Sequence, residues 1–249
     1  MDRRNFLTLA GAAMLVAALP VRAQSVLKVG SSASGLPFSY LDPLTNTVEG
    51  ALADLVRKIG AVNGFQPEIQ GMQFSSLVPA LTSGKIDLIA SALLITPERR
   101  EVIAFTDPVY TYGEGLFVVD SDKTAYTKIS DLKGQTVGIQ VGSAYIDSLR
   151  SNGLTDFKYY NSTGDTLADI QAGRIQAAFA DAPQASYRIR HGQFPGVRIV
   201  ESYVSTIKNS VGFGLRKDQA ELLEVFNAAI AKLKADNTVD SIAKKWDVS

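Results

Sequence analysis

The sequence predicts an α/β protein of two related lobes, and three observations carry that prediction. Apolar strand-like runs alternate with helical patterns along most of the chain, 249 residues suffice for one large domain or two modest ones, and a junction motif occurs twice. The recurrence joins "LTSGKIDLIAS" to "IQAGRIQAAFAD": an apolar residue, two spacers, Gly, a basic residue, Ile, then an apolar strand. Gly84 and Gly173 stand where a helix must end and a strand begin, a place suited to the left-handed backbone that Gly adopts at little cost. Two copies roughly ninety residues apart lie outside the periods of repeat arrays, which makes this a pair of βαβ lobes and not a solenoid.

The elements follow in order. "VLKVG" (26–30) reads as a buried strand, and apolar residues at helical spacing from Ala51 to Val62 give a helix closed by Asn63-Gly64. "PEIQ" is a second strand, Ser75 to Ser83 a helix, and "IDLIASALLI" a third strand, an alternation that implies a parallel sheet covered on both faces. In the second half "TVGIQ" (136–140) is a strand, a helix follows Ser143, "FKYY" is a strand, Asp165 to Ala172 a helix and "RIQAAFAD" a strand. Helices Asp218 to Ala235 and Thr238 to Trp246 close the chain, with Ile242 and Trp246 expected to pack on the first lobe.

The N-terminus, "MDRRNFLTLAGAAMLVAALPVRAQS", has a basic start, an apolar stretch and a small-residue cleavage site at Val21-Arg22-Ala23, the pattern of an export signal over residues 1–23. Arg3 and Arg4 before Asn5, Phe6 and Leu7 resemble the twin-arginine pattern. Formal net charge is zero, so no global field advertises nucleic acid or a membrane surface. Removing the signal takes away Arg3, Arg4, Arg22 and Asp2 and leaves a slightly acidic chain. With no cysteine there is no disulfide, thiol nucleophile or lipid-attachment site. The expected product is a free, monomeric protein of a Gram-negative type periplasm that needs no cofactor or metal.

One stretch poses a chemical question. In "SALLITPERR" Thr96 is placed to cap a helix and Pro97 to open it, which puts Arg99 in the first turn. Positive charge is disfavoured there, so a negative partner is expected nearby. Glu98 or Glu101 would serve; so would a ligand carboxylate gripped through two parallel N–H bonds. Ligands of open α/β sheets bind beyond the carboxyl ends of strands. Those ends carry Ser31 and Ser32, Ser91 leading to Arg99, Gly142 and Ser143 after Gln140, and Asp181. Asp181 precedes Ala182-Pro183 and suits either an N-cap or a ligand ammonium. Arg99 and Asp181 together would neutralise an amino acid. His191, the single histidine, is expected at a helix end in "RIRHGQF" and reads as a surface residue.

From Val26 to Trp246 the chain resembles the amino-acid-binding type of periplasmic solute-binding protein, the extracytoplasmic component of ABC importers. The resemblance is carried by "PFSY", "SLVPALTSGKIDLIAS", "LLITPERREVIAFTDPVY", "DLKGQTVGIQVGSAY", "AGRIQAAFADAP" and "ELLEVFNAAIAKLKADNTVDSIAKKW", in that order. It implies a two-lobe periplasmic-binding-protein fold, each lobe a sheet flanked by helices, joined by a two-strand hinge. Lobe 1 would take residues 25–111 and 208–249 and lobe 2 residues 112–207, with hinges at Thr111–Gly113 and Lys208–Ser210. Closure of the lobes on a ligand is a well-known motion of such proteins, and an ABC permease is the implied partner. Arg99 would grip an α-carboxylate, Asp181 take the α-ammonium, Ser91 contact the ligand and Phe74 form a wall.

The departures narrow the ligand. Ser32 stands where binders of basic amino acids carry an aspartate, Gly35 where they carry an aromatic ring, Leu94 where a hydroxyl is usual and Ala144 where threonine is frequent. A cationic side chain would be buried without a partner, at a cost of several kcal/mol. The expected ligand has no positive side chain and fills the space left by Gly35 and Ala144. Two other readings use the same fold. A cyclohexadienyl dehydratase needs a placed general acid, and at the Asp181 strand end this chain offers Asp181 and Gln184 and then no Glu until Glu201. A ligand-sensing or assembly partner of a periplasmic system would use the outer surfaces of the lobes.

Overall fold

The computed structural model describes residues 25–248, so the export signal expected over residues 1–23 lies outside the described residues. Two five-stranded sheets organise the chain. The first runs in the order Phe65–Met72, Ser25–Ser32, Leu88–Ile89, Gly214–Leu215, Ala104–Phe105. The second repeats that order with Phe157–Tyr160, Val137–Gln140, Ala177–Asp181, Glu114–Val119 and Val197–Ile199.

The echo in the sequence is therefore an echo in topology. In each sheet the first three strands are parallel and the fourth is antiparallel to both neighbours. The expectation of wholly parallel sheets is corrected here. The reversed strands, Gly214–Leu215 and Glu114–Val119, each follow directly on a crossing between lobes and so enter their sheet from the opposite end. The crossings, Tyr110–Tyr112 and Asn209–Val211, pair antiparallel with Thr111 opposite Ser210. The stretches expected as hinges overlap this ribbon.

Helix Ala51–Asn63 buries Leu52, Leu55, Val56 and Ile59 along one stripe and ends at Gly64 in the left-handed region (φ 76°). Gly84 (φ 73°) and Gly173 (φ 68°) make the left-handed turns expected of the junction motif. The stretch from 75 to 83 divides into a short 3₁₀ turn, Phe74–Ser76, and helix Leu77–Thr82. The helix after Ser143 begins only at Ile146. Of "IDLIASALLI" only Leu88–Ile89 joins the sheet. Beyond it Ala90 to Leu94 are all buried, and Leu94 bridges to Val211 of the crossing ribbon. The run is apolar because it is enclosed on all sides, which periodicity cannot distinguish from a strand.

Helices Ala220–Ala235 and Thr238–Lys245 return to lobe 1. Ile242 is buried, and the Trp246 indole Nε1 donates to Asp54 at 2.8 Å, as their expected docking on lobe 1 requires. Among the described residues no helix is long and apolar enough to cross a membrane.

Candidate functional site

The site forms where the third strands of the two sheets end. In lobe 1 the Thr96 hydroxyl accepts from the Arg99 N–H at 3.3 Å, with Pro97 as the first residue of helix Pro97–Val102. This capping holds Arg99 in the first turn with its side chain turned back toward lobe 2. One guanidinium nitrogen donates to the Leu94 carbonyl at 2.6 Å and the other to the Gly142 carbonyl of lobe 2 at 2.9 Å. The guanidinium lies over the Phe74 ring, 5.9 Å from its centroid. Among the described residues Arg99 forms no ion pair with Glu98 or Glu101, so the surface pairing left open by the sequence is not made.

In lobe 2 Asp181 ends strand Ala177–Asp181 and precedes helix Ala182–Arg190, yet its side chain makes no capping bond. Its carboxylate receives the Tyr145 hydroxyl at 2.7 Å on one oxygen, and the Tyr112 hydroxyl at 3.2 Å and the Gln184 amide on the other. Burial pushes the Asp181 carboxyl above its usual value, opposed by the three hydrogen bonds and by Arg99. Burial pulls the Arg99 guanidinium down, opposed first by Asp181. Both phenols are raised well above the usual phenol value, by burial first and then by Asp181, so they stay protonated and donate.

Arg99 and Asp181 line one cavity between the lobes, together with Phe74, Leu94, Gln140, Ser143 and Ala144. By the space open to the centre of a water molecule its volume is about 20 Å³; about 10–15 Å³ on that measure holds one water. The lobes are closed on each other. Besides Arg99 to Gly142, Arg188 of lobe 2 donates to the Ser34 carbonyl of lobe 1 at 2.8 Å, and Arg190 pairs with Asp247 at 2.9 Å.

Three expected residues do not line the cavity. Ser91 is 1 % exposed and its hydroxyl has no hydrogen-bond partner. Ser32 is buried and accepts a long bond (3.4 Å) from the Ser34 N–H. Gly35 belongs to the strand Ser34–Gly35, and a Cβ there would sit 3.2 Å from the Ser39 carbonyl oxygen. The space expected at Gly35 is filled by backbone, which corrects the picture of a ligand occupying it. His191 is exposed at the end of its helix, its ring stacked on Tyr187 at 4.0 Å.

Sequence reasoning passed over Tyr112 and Tyr145, and weighed Gln184 only for dehydratase chemistry, not as a partner of Asp181. Gln184 had a legible signal, since i and i+3 are neighbours on a helix and Asp181 immediately precedes one. Tyr145 and Tyr112 reach Asp181 across 36 and 69 residues of sequence, and nothing local marks them.

The chain is 32 % identical over 248 residues to the "Lysine/arginine/ornithine-binding periplasmic protein" of Escherichia coli (strain K12), covering 96 % of this chain and 92 % of that protein. It is 30 % identical over 226 residues to the "Arginine-binding extracellular protein ArtP" of Bacillus subtilis (strain 168), covering 88 % and 85 %. A solved structure of "an ancestral arginine-binding protein bound to glutamine" superposes with a TM-score of 0.82 at 30 % identity, over 91 % of this chain and 99 % of that one. The family description "Bacterial extracellular solute-binding proteins, family 3" matches residues 27–248, and with these relatives and the two-lobe architecture the chain belongs to that family.

Proposed function

We propose that this protein is exported to the periplasm, captures a small carboxylate, an amino acid or a close relative of one, by closure of its two lobes, and delivers it as a monomer to an ABC permease. The observation that carries the reading is the placement of Arg99 from lobe 1 and Asp181 from lobe 2 on one enclosed cavity. Two of the five guanidinium N–H groups of Arg99 meet carbonyls, which leaves donors for a carboxylate. A carboxylate seated there would touch both lobes and so favour the closed form over the open one, which is how a ligand shifts such an equilibrium. The relatives are named as amino-acid-binding proteins, which supports import over dehydration chemistry.

The ligand has no cationic side chain in this reading, because Asp181 is the one acidic residue lining the cavity and its oxygens already accept three hydrogen bonds. The test is a thermal-shift screen of amino acids and small organic acids followed by calorimetric titration of the hits, since a ligand that binds only the folded state raises its Tm. Arg99→Ala is expected to weaken the best ligand by a hundredfold or more, about 3 kcal/mol, as for truncating one partner of a buried charge pair. Hits that survive the substitution overturn the carboxylate assignment. Lysine or arginine as the tightest ligand overturns the charge argument. Prephenate is expected to give no phenylpyruvate, followed by ultraviolet absorbance.

A further inference from the structure

The two lobes give the cavity different walls. Lobe 1 contributes Phe74, Ala92 and Leu94 besides Arg99. Lobe 2 contributes Gln140, at the end of strand Val137–Gln140, and Thr163 and Thr166, which share one face of helix Thr163–Gln171 at i and i+3. The Ser162 hydroxyl caps this helix by accepting from the Asp165 N–H at 3.0 Å, so the helix starts without help from the Thr163 side chain. The Gln140 amide donates to the Asn161 carbonyl at 3.0 Å and ties the strand end to the same turn.

These groups have hydrogen-bonding capacity left over. Thr163 is 3 % exposed, and among the described residues its hydroxyl makes no hydrogen bond. Thr166 is 1 % exposed and donates to the Ser162 carbonyl at 3.0 Å, which leaves its oxygen able to accept. Gln140 keeps its amide oxygen and its second N–H. The Ser143 hydroxyl accepts from the Tyr145 N–H at 3.3 Å and keeps its own hydrogen, while the Tyr145 hydroxyl gives its hydrogen to Asp181. Around Asp181, therefore, lobe 2 offers both donors and acceptors on uncharged side chains. Arg99 and Asp181 are the charged members of the lining.

A partner for such a wall must itself donate and accept. An apolar side chain would leave the Thr163 hydroxyl and the Gln140 amide unmet once the lobes close, which is unfavourable. An ammonium alone would use the acceptors and leave the Thr163 and Ser143 hydrogens without one. A charged side chain would find no counterion beyond Arg99 and Asp181. We infer that Thr163, with Gln140 and Thr166, forms a subsite for a neutral polar side chain, a hydroxyl or a carboxamide, so that the ligand is an amino acid or related carboxylate with an uncharged hydrogen-bonding side chain. This rests on the carboxylate reading proposed above, with Arg99 on the carboxylate, and narrows its ligand class.

The test is calorimetric titration of the full mature chain with matched pairs: alanine and serine, valine and threonine, leucine and asparagine, methionine and glutamine. Within a pair the carboxylate and ammonium are the same, and the side chains differ chiefly in their hydrogen-bonding atoms. In the best-bound pair the polar member is expected to bind at least tenfold more tightly than the apolar one, and the four pairs separate hydroxyl from carboxamide. Thr163→Val exchanges hydroxyl for methyl at nearly constant shape and removes no hydrogen bond within the protein. It is expected to cut that preference fivefold or more without weakening the apolar member more than threefold. Thr163→Ser keeps the hydroxyl and should keep the preference; thermal melts establish that both variants fold. Equal weakening of both members by Thr163→Val would put Thr163 on the ligand's ammonium and overturn the inference. A preference that Thr163→Val leaves unmoved, or an apolar member that binds as tightly as its polar counterpart, overturns it too. If binding is lost in Arg99→Ala in any of these cases, the carboxylate reading stands. Binding that survives Arg99→Ala overturns that reading and this inference with it. Binding by none of the eight amino acids overturns this inference alone, and the carboxylate reading then rests on the screen of organic acids.

Discussion

Gly30 in lobe 1 and Gly138 in lobe 2 occupy the same place in their sheets. Each follows a valine, pairs with the strand that ends at the site, and is covered by the isoleucine of the junction motif. A Cβ on Gly30 would fall 2.4 Å from the Ile86 Cδ1, and one on Gly138 would fall 2.5 Å from the Ile175 Cδ1. The shared plan ends where the crossings enter the lobes. On leaving the ribbon the chain places Phe213 in the apolar core of lobe 1, against Phe226, and Glu114 in the interior of lobe 2. The lobes share what packs their sheets and differ in what leads into the cleft, so the fold sets positions while local substitutions set chemistry.

The largest expected effects are at the two entry positions. Glu114 is 1 % exposed and accepts from the Tyr203 hydroxyl, from Ser205, from the Thr206 N–H and hydroxyl, and from the Ile207 N–H. It gathers the segment that leads into the return crossing. Glu114→Ala strands several buried donors at once, and a loss of about 3 kcal/mol is expected in urea unfolding. Phe213→Ala should cost about 3–5 kcal/mol by leaving a cavity. Glu114→Gln separates the two mechanisms, since the amide oxygen still accepts. It should recover part of the Glu114→Ala loss, and no recovery would mean that the segment needs both accepting oxygens of the carboxylate and not merely a side chain of that shape.

The paired glycines differ in what surrounds them. Gly138→Ala would press on the stiff Thr166 methyl at 2.7 Å as well as on Ile175, whereas at Gly30 the second nearest atom is 3.3 Å away on a leucine. Overpacking of this kind costs about 1–3 kcal/mol. Gly138→Ala is expected near the top of that range and Gly30→Ala near the bottom, read from the midpoints of urea curves. Equal losses would mean that the flexible isoleucine ends decide both sites.

This division explains what could be read from the sequence. The repeated Gly-basic-Ile junction, the Thr96–Pro97 start and the placement of Arg99 are local patterns, and local patterns are legible. The antiparallel fourth strands were missed because strand direction depends on where a crossing enters, a non-local fact. Ser32 was expected in the site from the end of the first strand and Gly35 from the family resemblance, but the chain there folds back into the ribbon of Ser34–Gly35, Ser39–Leu41 and Val48–Glu49 and packs on itself. The tyrosines on Asp181 were invisible for the same reason as Glu114's partners. Each bond spans tens of residues and joins residue types with no fixed spacing.

A smaller difference between the lobes is expressed in acid. In lobe 2 the Asp169 carboxylate takes bonds from Arg174, Lys158 and the Tyr160 hydroxyl, and these hold it well below the usual carboxylate range. A carboxyl depressed in the folded state contributes stability that is fully present above its unfolded value near 4 and is lost as pH falls toward its folded value. Asp169→Asn should therefore unfold more easily than the parent at pH 7, with the two chains converging in denaturant midpoint as the pH is lowered through 4 and below. Parallel curves would place the contribution in hydrogen bonding and not in charge.

The smallest effect is expected at the rim of the cleft. Arg190 of lobe 2 and Asp247 of lobe 1 pair at 2.9 Å, but their side chains are 42 % and 44 % exposed, and pairs of this kind contribute about 0–1 kcal/mol. Arg99 also crosses between lobes, yet it does so inside the cavity between them and not at its rim. Both contacts exist only when the lobes are together, so removing either should weaken ligand binding, and burial decides by how much. Arg190→Ala is expected to raise the Kd of the best ligand less than threefold at low ionic strength, and by nothing measurable at about 1 M salt, where the Debye length falls to about 3 Å. A tenfold loss that persists in high salt would mean that the rim and not the cavity holds the lobes closed, and the weight placed on Arg99 would have to move there.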